Sequence, residues 1–167
     1  MVFNRISKAA LLLALFPAQP AYSEPLPKTY YLPTTMALEA ARAALDACAD
    51  DGFAVSVAIV TRQGTTTALV RADAAGPHTT ASATGKAFTA ASLGRDSGTL
   101  ASAIVANPEI RGLRDMDPRL VILGGGLPIR IDNSLVGGIG VGGAPSASQD
   151  RQCAIAGLQA IGAAMPD

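Results

Sequence analysis

Five of the nine residues from Leu135 to Gly143 are glycine, so a strand here has almost no side chains with which to fill a core. Glycines inside a strand let another backbone or a flat ligand approach the sheet closely. The rest of the composition agrees. Aromatic residues make up 4% of the chain, tryptophan is absent, and 17 glycines accompany abundant Ala, Val, Ile and Leu. Such a core is built from small side chains that bring helices and sheet into close contact. Gly138-Ile139-Gly140-Val141-Gly142-Gly143 also matches the G-x-G-x-x-G dinucleotide fingerprint. That motif belongs between a strand and a helix, with an acidic residue on a later strand. Here the glycines lie within the strand, Pro145 precedes the next helix and no later strand follows, so the match is accidental.

The periodicities predict one mixed domain. Leu38, Ala41, Leu45 and Cys48 recur at helical spacing from Thr35, and Gly52 closes that helix. Phe53 to Thr61 alternates as a strand, with Val55, Val57 and Ile59 on one face and Ala54, Ser56 and Ala58 on the other. A turn at Arg62-Gln63-Gly64 returns the chain as a strand over Thr65 to Arg71. A second helix is expected from about Thr80 to Leu93; Thr84 and Gly85 make it intrinsically poor, so packing or a ligand must hold it. Further helical turns follow over Thr99 to Ala106, ended by Asn107-Pro108. Leu120 to Leu123 reads as a strand. Pro128 to Ile131 and Leu135 to Val141 form a hairpin, and a last helix covers about Ser148 to Ala164.

The N-terminus has the grammar of a cleaved export signal: basic residues to Lys8, an apolar run from Ala9 to Phe16, and Ala21-Tyr22-Ser23. The apolar run is shorter than the about 20 residues a membrane-spanning helix needs. Residues 1–23 are therefore expected to be removed, giving a periplasmic or secreted protein with no membrane insertion after cleavage. Residues 24–33, with Pro25, Pro27 and Pro33, read as an extended leader, and 34–167 as the domain. Loss of Arg5 and Lys8 leaves 11 basic against 13 acidic residues, a net charge of −2 with no basic patch, which argues against nucleic acid as a partner. Cys48 and Cys153 sit on the first and last helices in an oxidising compartment, where a disulfide leads over two buried thiols. The chain-entropy model puts such a bridge at roughly 4–5 kcal/mol.

Few residues carry chemistry. His78 is the only histidine, which excludes multi-histidine zinc sites within the chain, and no C-x-x-C motif compensates. No G-x-S-x-G elbow supports a serine hydrolase. Beside Gly76-Pro77 and before a weak helix, His78 reads either as a solvated loop side chain or as an imidazole available to haem iron. Lys86 and Thr89 lie three apart, able to share one side of the second helix as an anion partner and a hydroxyl, or to serve as a solvated lysine and a packing threonine.

Gly76-Pro77-His78-Thr79, Lys86-Ala87-Phe88-Thr89-Ala90-Ala91, Gly124-Gly125-Gly126-Leu127-Pro128-Ile129-Arg130, and Gly137 to Pro145 with Asp150 and Cys153 together resemble the GlcG/HbpS-like haem-binding proteins, also called a haem-degrading domain. The resemblance covers roughly residues 34–164. It implies an α/β (α+β) profilin-like or PAS-like fold, an antiparallel sheet of about five strands flanked by helices, assembled into a homo-oligomer. It implies haem as cofactor, with His78 and Thr89 as metal-ligand candidates and Lys86, or a nearby arginine, beside the propionates. A periplasmic sensor or dehydrogenase is the implied protein partner. Two positions depart from the family pattern. Gly85 stands where many relatives have a charged or longer residue, and Arg95-Asp96-Ser97 replaces Arg-Pro-Thr or Arg-Pro-Ser, changes expected to loosen the second helix and its exit. The leading reading is an exported haem carrier, scavenger or sensor component. Behind it stand an accessory protein of a periplasmic dehydrogenase without haem, and an enzyme acting on haem or on a small hydroxy acid or diol. No residue set here activates oxygen by itself, so no catalytic residue is assigned.

Overall fold

The structure, a computed structural model, describes residue 26 and residues 28–166. The export signal expected over residues 1–23 lies outside the described residues, as do Pro25 and Pro27 of the leader. Residues 28–33 form neither helix nor strand before α1 (Thr34–Asp50) begins.

Four strands, β1 (Ser56–Thr61), β2 (Thr66–Arg71), β3 (Gly126–Ile131) and β4 (Ser134–Gly142), pair antiparallel in the order β2-β1-β4-β3. Alternation along β1 sorts its side chains as the sequence suggests: Val57 and Ile59 face one core, Ala58 and Val60 the other. The first core is covered by α1 and α4 (Ala147–Ala160), which meet through buried Ala37, Ala40, Ala41 and Ala44 on α1 and Ala154 and Leu158 on α4. Cys48 and Cys153 are bonded across these two helices, with Cα atoms 5.4 Å apart, so the disulfide expectation holds in the structure. The β3–β4 hairpin turns at Asp132 and Asn133, both with positive φ, the conformation that two-residue turns demand.

The second face carries α2 (His78–Leu93), and here the glycines of β4 acquire their meaning. A Cβ at Gly140 would stand 2.1 Å from the Ala83 carbonyl oxygen, and one at Gly138 would stand 2.4 Å from that of Ala87. Helix backbone therefore rests directly on sheet backbone, with only the methyl groups of Ala83, Ala87 and Ala91 at the crossing. Of the two occupants that a glycine strand admits, a second backbone and a flat ligand, the helix takes the place. This packing also explains how a helix of poor intrinsic propensity runs unbroken through Gly85. Its exit is firm as well. Asp96 accepts the Gly98 and Thr99 N–H groups as N-cap of α3 (Ser97–Ala106), and its other oxygen accepts Arg151 Nε at 2.7 Å. The loosening expected at Gly85 and at Arg95-Asp96-Ser97 is not what the structure contains.

The sheet has four strands and not five. Leu120 to Leu123, expected as a strand, has no strand partner. Its apolar side chains instead cover helices: Leu120 packs beside Phe88, and Ile122 joins Leu100 and Ile104 of α3 in a third cluster. A side chain replaces the missing ladder, because the Thr89 hydroxyl accepts the Val121 N–H at 2.9 Å. A 3-10 helix over Pro108–Asp115 leads into this segment.

Two stability outcomes follow from this packing. Gly140→Val, whose Cβ meets a main-chain oxygen rather than a flexible side chain, is expected to lose about 3 kcal/mol or more, measured by urea denaturation. Cys48→Ala/Cys153→Ala should lose roughly 2–5 kcal/mol in the same assay. Wild-type stability in the Gly140→Val protein would refute the backbone contact.

Candidate functional site

The α2 helix has three working faces. Ala83, Ala87 and Ala91 meet the sheet. A second face carries Lys86 and Thr79 into the interior. The third, His78, Ala81, Gly85 and Phe88 at steps of three and four, lines an open cleft of about 790 Å³. Val60, Thr66 and Leu69 of the β1–β2 hairpin form the opposite wall, and Pro118, Arg119 and Val121 close the end. This volume falls in the range of about 300–1,000 Å³ typical of small-molecule sites. A smaller cavity of about 190 Å³ lies between Tyr30, Tyr31 and the β3–β4 hairpin, away from the imidazole.

His78 is the first residue of α2 and not a loop residue; the helix starts two positions earlier than its apolar pattern indicates. Two hydroxyls fasten the helix start to the turn before it. Thr79 donates to the Gly76 carbonyl at 2.6 Å and shares a 2.7 Å hydrogen bond with Ser56, while Thr80 donates to the Pro77 carbonyl at 3.1 Å. The Arg71 guanidinium also donates to the Ala75 carbonyl, fixing the turn from the other side. The imidazole folds back over Gly76, where a Cβ would stand 2.7 Å from Cε1. His78 is exposed at the cleft rim, held by a rigid turn.

Arg119 supplies the cleft's cation. Its guanidinium lies 4.1 Å from the centre of the Phe88 ring, a cation–π contact. Asp117 orients it, accepting Nε at 3.0 Å and Nη2 at 2.6 Å. The Arg119 side chain, and after it the Arg119 N–H, holds the Asp117 carboxyl down at about 2, while the same contact raises Arg119. Because the folded carboxyl titrates below its ordinary value of 3.8, the pair is intact above about pH 4. It comes apart only as the pH falls toward 2. No sequence pattern singled out Arg119; Phe88 stood in the Lys86–Ala91 segment, and the 78-81-85-88 spacing was the signal that groups it with His78.

Lys86 and Thr89 do not line the cleft, and their expected place beside a ligand is revised by their burial. Lys86 is 1% exposed; its Nζ donates to Asp150 Oδ2 at 2.7 Å and to the Val141 carbonyl at 2.9 Å. Asp150 is 4% exposed, and its other oxygen accepts the Ala144 N–H at 3.0 Å. The pair thus ties α2 through β4 to the start of α4. Thr89 is fully buried. Its hydroxyl donates to the Gly85 carbonyl at 2.8 Å while accepting from Val121, so it sets the position of the cleft's end wall. Gly85 makes that wall fit: a Cβ there would stand 2.3 Å from Val121 Cγ2. Lys86→Met is expected to destabilise by about 3–5 kcal/mol, because it strands a buried carboxylate. Lys86→Met/Asp150→Leu should recover most of that loss by urea denaturation, and equal losses in the two proteins would show that the ion pair is not the cause.

No curated protein matches the chain. Among solved structures, a double mutant of Streptomyces reticuli HbpS is 40% identical, with a TM-score of 0.75 over 86% of this chain and 97% of that one. The Klebsiella pneumoniae protein ORFY is 25% identical, with a TM-score of 0.80 over 87% of this chain and all of its own. A PduOC:haem complex is 27% identical, with a TM-score of 0.75 over 83% of this chain and all of its own. The model of the family described as haem-degrading protein HbpS-like matches residues 32–159, which span the whole sheet, the helices up to the last residue of α4, and the cleft, and the chain belongs to that family.

Proposed function

We propose that this protein binds haem in the cleft between α2 and the β1–β2 hairpin, and that it works as an exported carrier, scavenger or sensor component. The observation that carries the reading is the convergence of one imidazole and one guanidinium on an otherwise mostly apolar cleft of about 790 Å³. The likeness to HbpS and to a PduOC:haem complex supports it.

The residues present fit the group. Haem supplies an iron able to accept a protein nitrogen, and the exposed His78 imidazole is the only histidine nitrogen in the chain. Val60, Leu69, Phe88 and Val121 offer an apolar surface that excludes water from a flat hydrophobic ligand. Arg119 faces the same space: Asp117 takes its Nε–Nη2 edge and the Phe88 ring lies against it, so its remaining N–H groups are held in place for a carboxylate. Lys86 and Thr89 act one layer deeper, the first anchoring α2 and the second holding Val121. This makes Arg119, not Lys86, the propionate partner in the proposal. The export signal over residues 1–23 would deliver the protein to the compartment where its disulfide persists. A homo-oligomer and a periplasmic sensor or dehydrogenase partner belong to the same proposal, carried by the family likeness alone.

Titration of the protein with haemin, followed in the Soret region, tests the site. The wild type should give a band distinct from free haemin, and His78→Ala should lose the imidazole-ligated spectrum. Arg119→Gln should keep the spectrum yet bind about ten- to a hundredfold more weakly, as expected for losing one charge-assisted contact of about 1.5–3 kcal/mol. A Soret band identical to free haemin for wild type and His78→Ala alike would end the proposal.

A further inference from the structure

At the other end of α2, roughly 24 Å from His78 along a helix of 16 residues, the chain builds a second and chemically different cavity. We propose that it binds a small oxyanion, a carboxylate or phosphate group, between Arg95 and Arg130. The cavity measures about 350 Å³, and Gly94, Thr99 and Asp96 complete the part of its lining that matters here. The inference does not rest on haem binding.

Arg130, on β3, is half-buried and donates through Nη2 to the Gly94 carbonyl at 3.3 Å. That bond uses one of the five N–H donors of a guanidinium. Arg95 follows directly on the left-handed Gly94 and brings a second guanidinium to the same cavity. Neither arginine forms an ion pair with a carboxylate among the described residues. The one acidic side chain in the lining, Asp96, is engaged elsewhere: one oxygen accepts two N–H groups of α3 and the other accepts Arg151. Among the described residues, two cations therefore share a concave surface without an available anion. Like charges in such a setting repel, and a bridging oxyanion relieves both at once while filling a fork geometry that suits planar carboxylate or tetrahedral phosphate. Support of the α2 C-terminus accounts for a single N–H of Arg130 and for nothing of Arg95. The size admits a small organic acid or inorganic phosphate, far smaller than the ligand proposed for the cleft.

The test is a titration of the full ¹⁵N-labelled protein with succinate and, separately, inorganic phosphate, at ionic strength held constant with chloride. Saturable shifts at the Gly94, Thr99 and Arg130 amides are expected for at least one probe, and the probe that saturates at lower concentration names the preferred group. Arg95→Gln and Arg130→Gln should each weaken binding tenfold or more, whereas Arg111→Gln, on the exposed 3-10 helix, should not. Arg95 is exposed and makes no bond among those described, so Arg95→Gln decides the matter even if Arg130→Gln fails to fold. Linear shifts without saturation, or equal weakening by Arg111→Gln, would overturn the proposal. Haemin titration of Arg95→Gln should match wild type, which keeps failure here distinct from failure at the cleft.

Discussion

The backbone of α2 lies on the backbone of β4 with nothing between them but hydrogen and methyl groups, and the other features of the molecule depend on that contact. With Gly138 and Gly140 under Ala83 and Ala87, the helix sits too close for any side chain on the strand at those two positions. Close approach gives α2 many dispersion contacts per residue, which offsets the weak helix propensity of its Thr and Gly residues. It also buries the Lys86 stem so deeply that its ammonium must find a partner inside the protein, and Asp150 of α4 is that partner. Two packed layers of helix are thereby linked through a sheet that has few side chains to contribute.

One helix serves three surroundings because its small residues are arranged in stripes. The alanine stripe faces glycine, the Lys86 and Thr79 positions face buried polar partners, and the His78–Phe88 stripe faces the cleft. The rigid parts therefore end where the cleft begins. Thr79 secures the turn carrying His78, Thr89 secures Val121, and Asp117 secures Arg119. A cleft whose cation, end wall and histidine-bearing turn are held by paired or buried neighbours is preorganised for a ligand, and preorganisation is what keeps the entropy of binding from being lost to ordering side chains. The chemistry of the cleft, one imidazole and one guanidinium on an apolar surface, suits an anionic, flat, metal-bearing ligand in keeping with the family.

Local patterns were legible wherever a residue's surroundings follow from its sequence neighbours. The alternation of Val55, Val57 and Ile59 against Ser56 and Ala58 predicts the two faces of β1, and the structure has them. The hairpins closed at Gly64 and at Asp132-Asn133 are visible for the same reason. The pairing of Cys48 with Cys153 required only that the first and last helices be neighbours, which they are. Leu120 to Leu123 reads as a strand in the sequence because an apolar run has the same composition whether it pairs with a strand or covers a helix. The family resemblance sets Lys86 beside the propionates, and nothing near it in sequence announces a carboxylate 64 residues away. Arg119 was overlooked because its importance arises from the Phe88 ring, a contact between distant segments.

By itself the sequence determined that strand β4 must present a bare glycine surface, that hairpins close at two turns, and that a single histidine is available for metal chemistry. Those properties reside in the residue types and their local spacing. Only the tertiary structure decided what covers the glycines, which cation faces the cleft and which is locked in the core, and where the walls of the cleft stand. Such outcomes depend on which distant segments share a surface. Burial and charge pairing there are settled by long-range packing, to which spacing along the chain is blind.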